Sequence, residues 1–401
     1  MIVALKRHKA GTILIALQIA LTLAIVCNAL HIVHLRVDHL SRPTGINEAQ
    51  ILRVESQWAN KPAADQLRAL TASDLAVLRQ IPGVVDVYAS NAYPLGNNGW
   101  PMGLSYAPDQ RSPTTSAAMY FSDEHTVNTL DLKLLAGRNF RADEIGEMDV
   151  HGHLTPAVVI ITKDLADRMF PKGSALGQVI YMSSKPSTVI GVVPRLQVPW
   201  LDSFATQWDQ RSVLVPYRLD QSQYYIVRTA PGRSAAVTAA IPERLYAANP
   251  DRVIDPAHGI QSFEQIKADA YRKDHGMAVV MMVICIALLS ITSAGIVGLT
   301  SFWVAQRRRQ IGVRRALGAT RRDILSYFLI ENGVISGAGV VAGILLALGL
   351  NIWLVSDFEM QRLSPLYLVA GALMLLCLGQ LSALVPAWRA SRLSPSEATR
   401  V

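Results

Sequence analysis

The chain alternates four long apolar stretches with polar ones. Apolar residues dominate 11–34, 277–304, 325–356 and 365–388. Each run reaches the roughly 20 residues that a helix needs to cross a bilayer core, so the pattern predicts four transmembrane helices. The polar stretch 35–276 contains no such run and carries shorter periods. Apolar positions at helical spacing over 71–81 (TASDLAVLRQI), with Ser73 or Thr71 as cap, lead through Pro82-Gly83 into the strand pattern VVDVYAS. A second such unit runs from YYIVRTA (224–230) through Pro231-Gly232 into a helix over about 234–248. Between them AVVIITKDLADRMF, GQVIYM and STVIGVV predict another strand-rich unit with its own helix. Asn98-Gly99, within the Pro/Gly cluster of 94–103, predicts a hairpin turn. The expectation is an α+β domain with related parts at about 35–115 and 212–260 and an inserted subdomain at about 116–211. A helical run over 261–276 (QSFEQIKADAYRKDHG) continues into the second span, as a stalk requires.

Composition agrees with a membrane protein. Of 401 residues, 51% are hydrophobic and only 17% charged, with mean hydropathy +0.26. Soluble domains carry about 25% charged residues, and so apolar a chain is neither mainly disordered nor a charged coiled coil. The net charge of +8 would suit a nucleic-acid partner, but its placement argues against one. Residues 305–324 (AQRRRQIGVRRALGATRRDI) hold seven arginines against Asp323 alone. With Lys6, Arg7, Lys9, Arg389, Arg392 and Arg400, 13 basic residues stand against Asp323 and Glu397 on one side of the membrane. Lys and Arg are retained inside, so the termini (1–10 and 389–401) and the loop 305–324 are cytoplasmic. The outer side, made of the domain 35–276 and the short hairpin 357–364, carries 25 basic and 27 acidic residues and is close to balanced. The basic excess therefore sets topology and marks no nucleic-acid site. No small-x-small cleavage site follows the first apolar run, which reads as an uncleaved signal anchor. Cys27, Cys285 and Cys377 all lie in apolar runs, so no disulfide framework holds the outer domain.

Candidate chemistry is concentrated in the inner loop and the third span. Ile311, Val313, Leu317 and Ile324 punctuate the arginines, which predicts a short amphipathic helix along the membrane face. Two readings stand at this point, an anchor or a docking site for a cytoplasmic partner. Gly333-x-x-x-Gly337 and Gly339-x-x-x-Gly343 predict close helix packing. Glu331 is an intramembrane carboxylate that must be paired, hydrogen-bonded or reach the interface; a structural role is expected ahead of ion movement. His31, His34 and His39 cluster near the outer end of the first span, and His151 and His153 lie near Glu147 and Asp149. Neither group adds a further convincing ligand, and no metal is expected. The chain has no G-x-x-x-x-G-K-[ST], G-x-S-x-G or H-E-x-x-H sequence. No catalytic residue is expected, and energy from ATP would have to come through another subunit.

Five segments carry a family resemblance. LLAGRNFRADE (134–144), VVIITKDLADRMFPKGSALGQVI with STVIGVV, RRRQIGVRRALGATRRDIL, FLIENGVISGAGVVAGILLALGL (328–350) and VPAWRASRLSPSEATR resemble the MacB/FtsX-type ABC transporter permeases. Specifically, the chain resembles a MacB-like permease without a fused ATPase domain. Gln310 stands where the family's inner loop usually has Glu, and Thr399 where Leu is common. The resemblance implies a bacterial inner-membrane protein with a MacB-like periplasmic core domain of two porter-like halves and an inserted subdomain. It implies a dimer with a second copy or a paralogue, and a separate cytoplasmic ABC ATPase that binds ATP and Mg; the chain itself would hold no cofactor. The ATPase would dock on Arg307, Arg309, Gln310, Ile311, Gly312, Val313, Arg314, Arg315, Ala316, Leu317, Gly318 and Ala319. A periplasmic adaptor and an outer-membrane channel are further implied partners, with export of a drug, peptide or similar substrate as the outcome. The alternatives are an FtsX-like transmitter that activates a periplasmic cell-wall hydrolase and a lipoprotein-releasing permease. The size of the outer domain favours the MacB-like class.

Overall fold

The computed structural model describes residues 9–60, 62–148, 154–201, 205, 207–219, 224–358 and 362–392. It divides into two compact units, one built from the membrane helices and one from residues 42–272.

Four helices are long and apolar enough to cross a membrane. We term them span one (Lys9–Ser41), span two (Arg272–Gln306), span three (Arg321–Phe358) and span four (Pro365–Ser391). Span one is the most enclosed. Its Ile15, Ile19, Leu23 and Cys27 pack with Ile296 and Trp303 of span two, Ile335 and Val340 of span three, and Leu375 and Ala383 of span four. Apolar side chains alone give little drive to associate in lipid, so short polar ties and close backbone approach fix the arrangement. Thr22 and Thr292 hydroxyls lie 2.8 Å apart, and those of Ser293 and Ser382 2.7 Å apart. Asn332 Nδ2 donates to the Gly379 carbonyl at 3.0 Å, and Asn28 Nδ2 to that of Ala347 at 3.2 Å.

Among the described residues the outer unit holds two large sheets and two two-stranded ones, Tyr217–Leu219 with Gly146–Met148 and Arg252–Val253 with Gln57–Trp58. The first is a four-stranded antiparallel sheet in the order Ile260–Ser262, Ile51–Glu55, Tyr224–Thr229, Val84–Ser90. Helices Ala64–Arg79 and Ser234–Ala248 pack on one face, where Leu52, Val54, Val87, Tyr225 and Val227 meet Leu75, Leu78, Val237, Ile241 and Leu245. The period of two sends Leu52 and Val54 to that core and Arg53 to the other face, between Tyr93 and Tyr224. Each half contributes a strand, a helix and a strand. The second sheet is mixed, in the order Trp100–Leu104, Thr115–Phe121, Ser212–Val215, Val158–Thr162, Pro186–Val193, Ala136–Gly137, with Val179–Tyr181 pairing to Pro186–Val193. Helix Lys163–Met169 covers it through Leu165 and Met169.

Four expectations need correction. The inserted part is wider than 116–211, because Trp100–Leu104 and Ser212–Val215 both pair with Thr115–Phe121 and so belong to its sheet. No hairpin turn forms at Asn98-Gly99: positive φ falls at Leu95 and Asn97, and Asn98 Nδ2 donates to the Tyr224 hydroxyl at 3.1 Å. The helix expected over 71–81 starts at Ala64 and ends at Arg79, so Thr71 and Ser73 lie inside it rather than capping it. The stalk run is two helices, Phe263–Ala270 and span two, meeting at Tyr271 (φ −95°, ψ 2°). Ser262 starts the first of them with a capping box, Ser262 and Gln265 side chains each accepting the other's backbone N–H.

The resembling segment 134–144 has a physical basis in this fold. Gly137, at φ +80°, passes so close to the Ile190 carbonyl that a Cβ would lie 2.0 Å from it. Arg138 then forks onto Glu144 with bonds of 2.8 and 2.5 Å, while Phe140 is buried.

Candidate functional site

The inner loop folds as a helix, Arg308–Ala316, set between spans two and three. Arg307 alone separates it from span two, at φ −99° and ψ 9°. Its end is built from local sequence. Gly318 at φ +100° lets its N–H reach the Arg315 carbonyl at 3.2 Å and the Ala319 N–H reach that of Arg314 at 3.1 Å, a Schellman stop. Two residues on, Thr320 and Asp323 form a reciprocal cap that begins span three: Thr320 N–H donates to Asp323 Oδ2 at 2.8 Å and Asp323 N–H to Thr320 Oγ1 at 3.2 Å. A stop and a start within four residues make a sharp corner.

The helix is amphipathic, but not with all four apolar residues on one side. Ile311 and Ile324 are buried with Val304, Phe328, Ala387 and Ala390, so the inner ends of spans two, three and four all contribute to one small core. Gly312 is buried beside Ile311. Val313 and Leu317, one turn apart, point outward, and Leu317 is 83% exposed. Arg308, Arg309, Gln310, Arg314 and Ala316 are exposed on the same surface, with Arg315 and Ala319 half-buried.

Three arginines tie the helix to its neighbours. Arg307 Nη1 donates to Glu331 Oε2 at 2.8 Å and Oε1 at 3.1 Å, with the Tyr327 hydroxyl 3.5 Å away. Both charged side chains are buried. The Arg314 guanidinium lies over the Tyr327 ring, 4.9 Å from its centroid, in cation–π geometry. Arg315 Nη1 donates to the Ser391 carbonyl, 3.0 Å away at the end of span four. Glu331 is thus an ion-paired residue, a partner that sequence reasoning did not find for it. Tyr327 and Ser391 were missed altogether; the aromatic one turn before Glu331 was the available signal for the first.

The glycines of span three divide. A Cβ at Gly339 would meet the Ala16 carbonyl at 2.8 Å, and one at Gly343 would meet Leu23 Cβ at 2.9 Å and Ala20 Cα at 3.0 Å. These two pack on the span one backbone. Gly333 faces Gln380 of span four, and Gly337 has nothing within 4 Å. His31 and His34 flank the Tyr367 ring, with centroids 5.4 and 5.9 Å from it. Among the described residues no three His, Cys, Asp or Glu side chains converge as a metal site. Asp149, His151 and His153, the side chain of His39, and the tail with Thr399 and Arg400 lie outside the described residues.

Comparison with known proteins bears on what such a helix does. The MacB-like periplasmic core domain family matches residues 13–244, and the FtsX-like permease C-terminal family matches residues 281–395. YknZ of Bacillus subtilis, an uncharacterized ABC transporter permease, is 26% identical over 368 residues, covering 90% of this chain and 86% of that one. The macrolide export ATP-binding/permease protein MacB of Neisseria meningitidis serogroup A is 24% identical over 345 residues, or 83% of this chain. The match spans 49% of that relative's length, and 40% of the MacB of Chromobacterium violaceum. The crystal structure of the periplasmic region of MacB from Actinobacillus actinomycetemcomitans aligns with 58% of this chain and 97% of its own at 17% identity, with a TM-score of 0.36.

Proposed function

The chain belongs to the MacB/FtsX-type ABC transporter permeases, and on that premise we propose that it is the non-catalytic permease subunit of an ATP-driven export assembly. A separate cytoplasmic ABC ATPase, holding ATP and Mg, docks on the inner helix Arg308–Ala316. Hydrolysis there changes the conformation of the periplasmic domain, which expels substrate outward. Two permease copies, or this chain and a paralogue, make the working unit, with a periplasmic adaptor and an outer-membrane channel completing the route.

One observation carries the reading. The inner helix is held at its back by Ile311, Arg307 and Arg315 while at its front no other described part of the chain covers Val313 and Leu317, which stand among arginines. A membrane anchor would bury those two residues in the interface beside inward-facing Ile311. A partner-binding helix keeps an apolar anchor exposed at the centre of a charged rim until the partner covers it. The chain's own residues supply no nucleotide-binding sequence, so their part is to receive and transmit movement.

The test is co-purification of the full chain in detergent with the products of its neighbouring genes, read for a bound ABC ATPase. Val313→Asp and Leu317→Asp, singly and together, alter exposed positions and are expected to leave the fold intact. The expected result is loss of the ATPase from the purified complex, with the permease still monodisperse. Retention of the ATPase at wild-type stoichiometry in the double variant would rule out docking on this face.

A further inference from the structure

We infer that the buried Arg307–Glu331 pair is a positioning element, which makes the inner helix and span three respond together to the docked ATPase. The inference rests on the reading above and adds the residues by which the movement leaves the helix.

Arg307 is the one non-helical residue between span two and the inner helix, so any change in the angle between them passes through it. Arg307 is 9% exposed and its Nη1 holds both oxygens of Glu331, which is 3% exposed. The corner residue of one helix pair is thereby fixed to the third turn of another. The inner helix already has an apolar fastening through Ile311 and a tie to span four through Arg315. The ion pair is not needed to hold the helix down. A buried ion pair adds little net stability over apolar side chains of the same volume, yet either charge left alone is strongly penalised. Such a pair permits few geometries. Movement of the exposed face bearing Val313 and Leu317 must either carry span three along or separate two buried charges. Tyr327 reinforces the link, with its hydroxyl near Arg307 and its ring under Arg314.

The experiment uses the full chain with its co-purified ATPase and reads two quantities separately: ATPase bound per permease, and ATP turnover of the complex relative to the ATPase alone. Glu331→Gln is expected to keep the bound ATPase near wild-type amounts, and Arg307→Gln and Glu331→Gln both to reduce the stimulation of turnover by roughly tenfold. The exchanged double variant Arg307→Glu/Glu331→Arg is expected to regain most of it. The apolar double variant Arg307→Met/Glu331→Leu is expected to fold and bind but remain unstimulated. Should the single variants misfold, the two doubles decide the matter. Equal stimulation in the exchanged and apolar doubles would overturn the inference, because packing alone would then suffice. Full stimulation in the single variants would overturn it as well. The Val313→Asp/Leu317→Asp double variant is run alongside: if it retains the ATPase, the docking reading fails independently of what the pair does.

Discussion

Lys267 Nζ lies 2.9 and 3.1 Å from the two carboxylate oxygens of Glu48, joining the segment that follows span one to the helix that precedes span two. Thr44 Oγ1 donates to the same carboxylate at 2.7 Å, and the Thr44 carbonyl accepts from Gln197 N–H at 2.9 Å. The two chain crossings into the outer domain are therefore tied to each other within it. Both charged groups are partly exposed, so the pair contributes about 0.2–1 kcal/mol. Lys267→Glu should lower the unfolding midpoint modestly and Lys267→Glu/Glu48→Lys should restore it, read by tryptophan fluorescence of the full chain in detergent. No response to the single reversal would mean that the segments are held by backbone contacts alone.

A deeper pair joins the two halves of the outer domain. Arg252 Nη2 lies 2.5 Å from Asp74 Oδ1, both side chains are fully enclosed, and the Tyr225 hydroxyl donates to Asp74 at 2.6 Å. Trp58 covers the guanidinium, with its ring centroid 4.6 Å away. Asp74→Ala leaves a buried cation and should cost about 3–5 kcal/mol. The double variant Asp74→Leu/Arg252→Met should recover much of that loss in the same unfolding measurement. A double variant as damaged as the single one would mean that the tyrosine and tryptophan contacts, not the uncompensated charge, dominate.

Acid sensitivity is predicted at the Arg138–Glu144 fork. Hydrogen bonds from Arg138, joined by the Arg141 backbone N–H, hold the Glu144 carboxyl at about 2, against an ordinary value of 4.5. A carboxyl depressed in the folded state stabilises above its unfolded value and loses that contribution as pH falls through its folded one. The stability gap between the wild type and Glu144→Gln should be constant above the ordinary carboxylate range and close progressively toward about pH 2. Thermal unfolding of both proteins across that range checks it, and a gap independent of pH would show that the charge of Glu144 is not what the site uses.

How much of this was legible beforehand depended on distance along the chain. The four spans, the helix–strand pair at 71–90 and the strand–helix pair at 224–248 are local patterns, readable from period and turn chemistry; the strands Ile51–Glu55 and Ile260–Ser262 that complete each half were not read. Arg307 and Glu331 were both visible as unusual residues, but their pairing depends on how a sharp corner brings two helices together. Trp100–Leu104 was assigned to the wrong part because Pro101 and Gly103 blur its alternation and its partner strand lies beyond an intervening loop. The break at Tyr271 left no trace because apolar spacing runs on from Ile266 into span two. Val313 and Leu317 fit the same inner-loop pattern as Ile311, and only the packing of three span ends decides which side of the helix is covered.

The glycines of span three offer the sharpest contrast between motif and contact. Gly333-x-x-x-Gly337 and Gly339-x-x-x-Gly343 look alike in sequence, yet only the second pair meets a helix backbone, at Ala16 and Ala20 of span one. Gly343→Ala would place a methyl within 3.0 Å of Ala20 Cα and Leu23 Cβ, which cannot swing aside as a flexible side-chain tip would. Spans one and three would have to part, at a cost of about 1–3 kcal/mol. Gly337→Ala meets open space and removes a weak helix former, so it should be neutral or slightly stabilising. Thermal denaturation of the two variants in one detergent separates the cases. Equal losses would mean that helix flexibility, rather than the seam with span one, is what these glycines provide; a loss at Gly337 alone would place a contact on the face that the monomer leaves open.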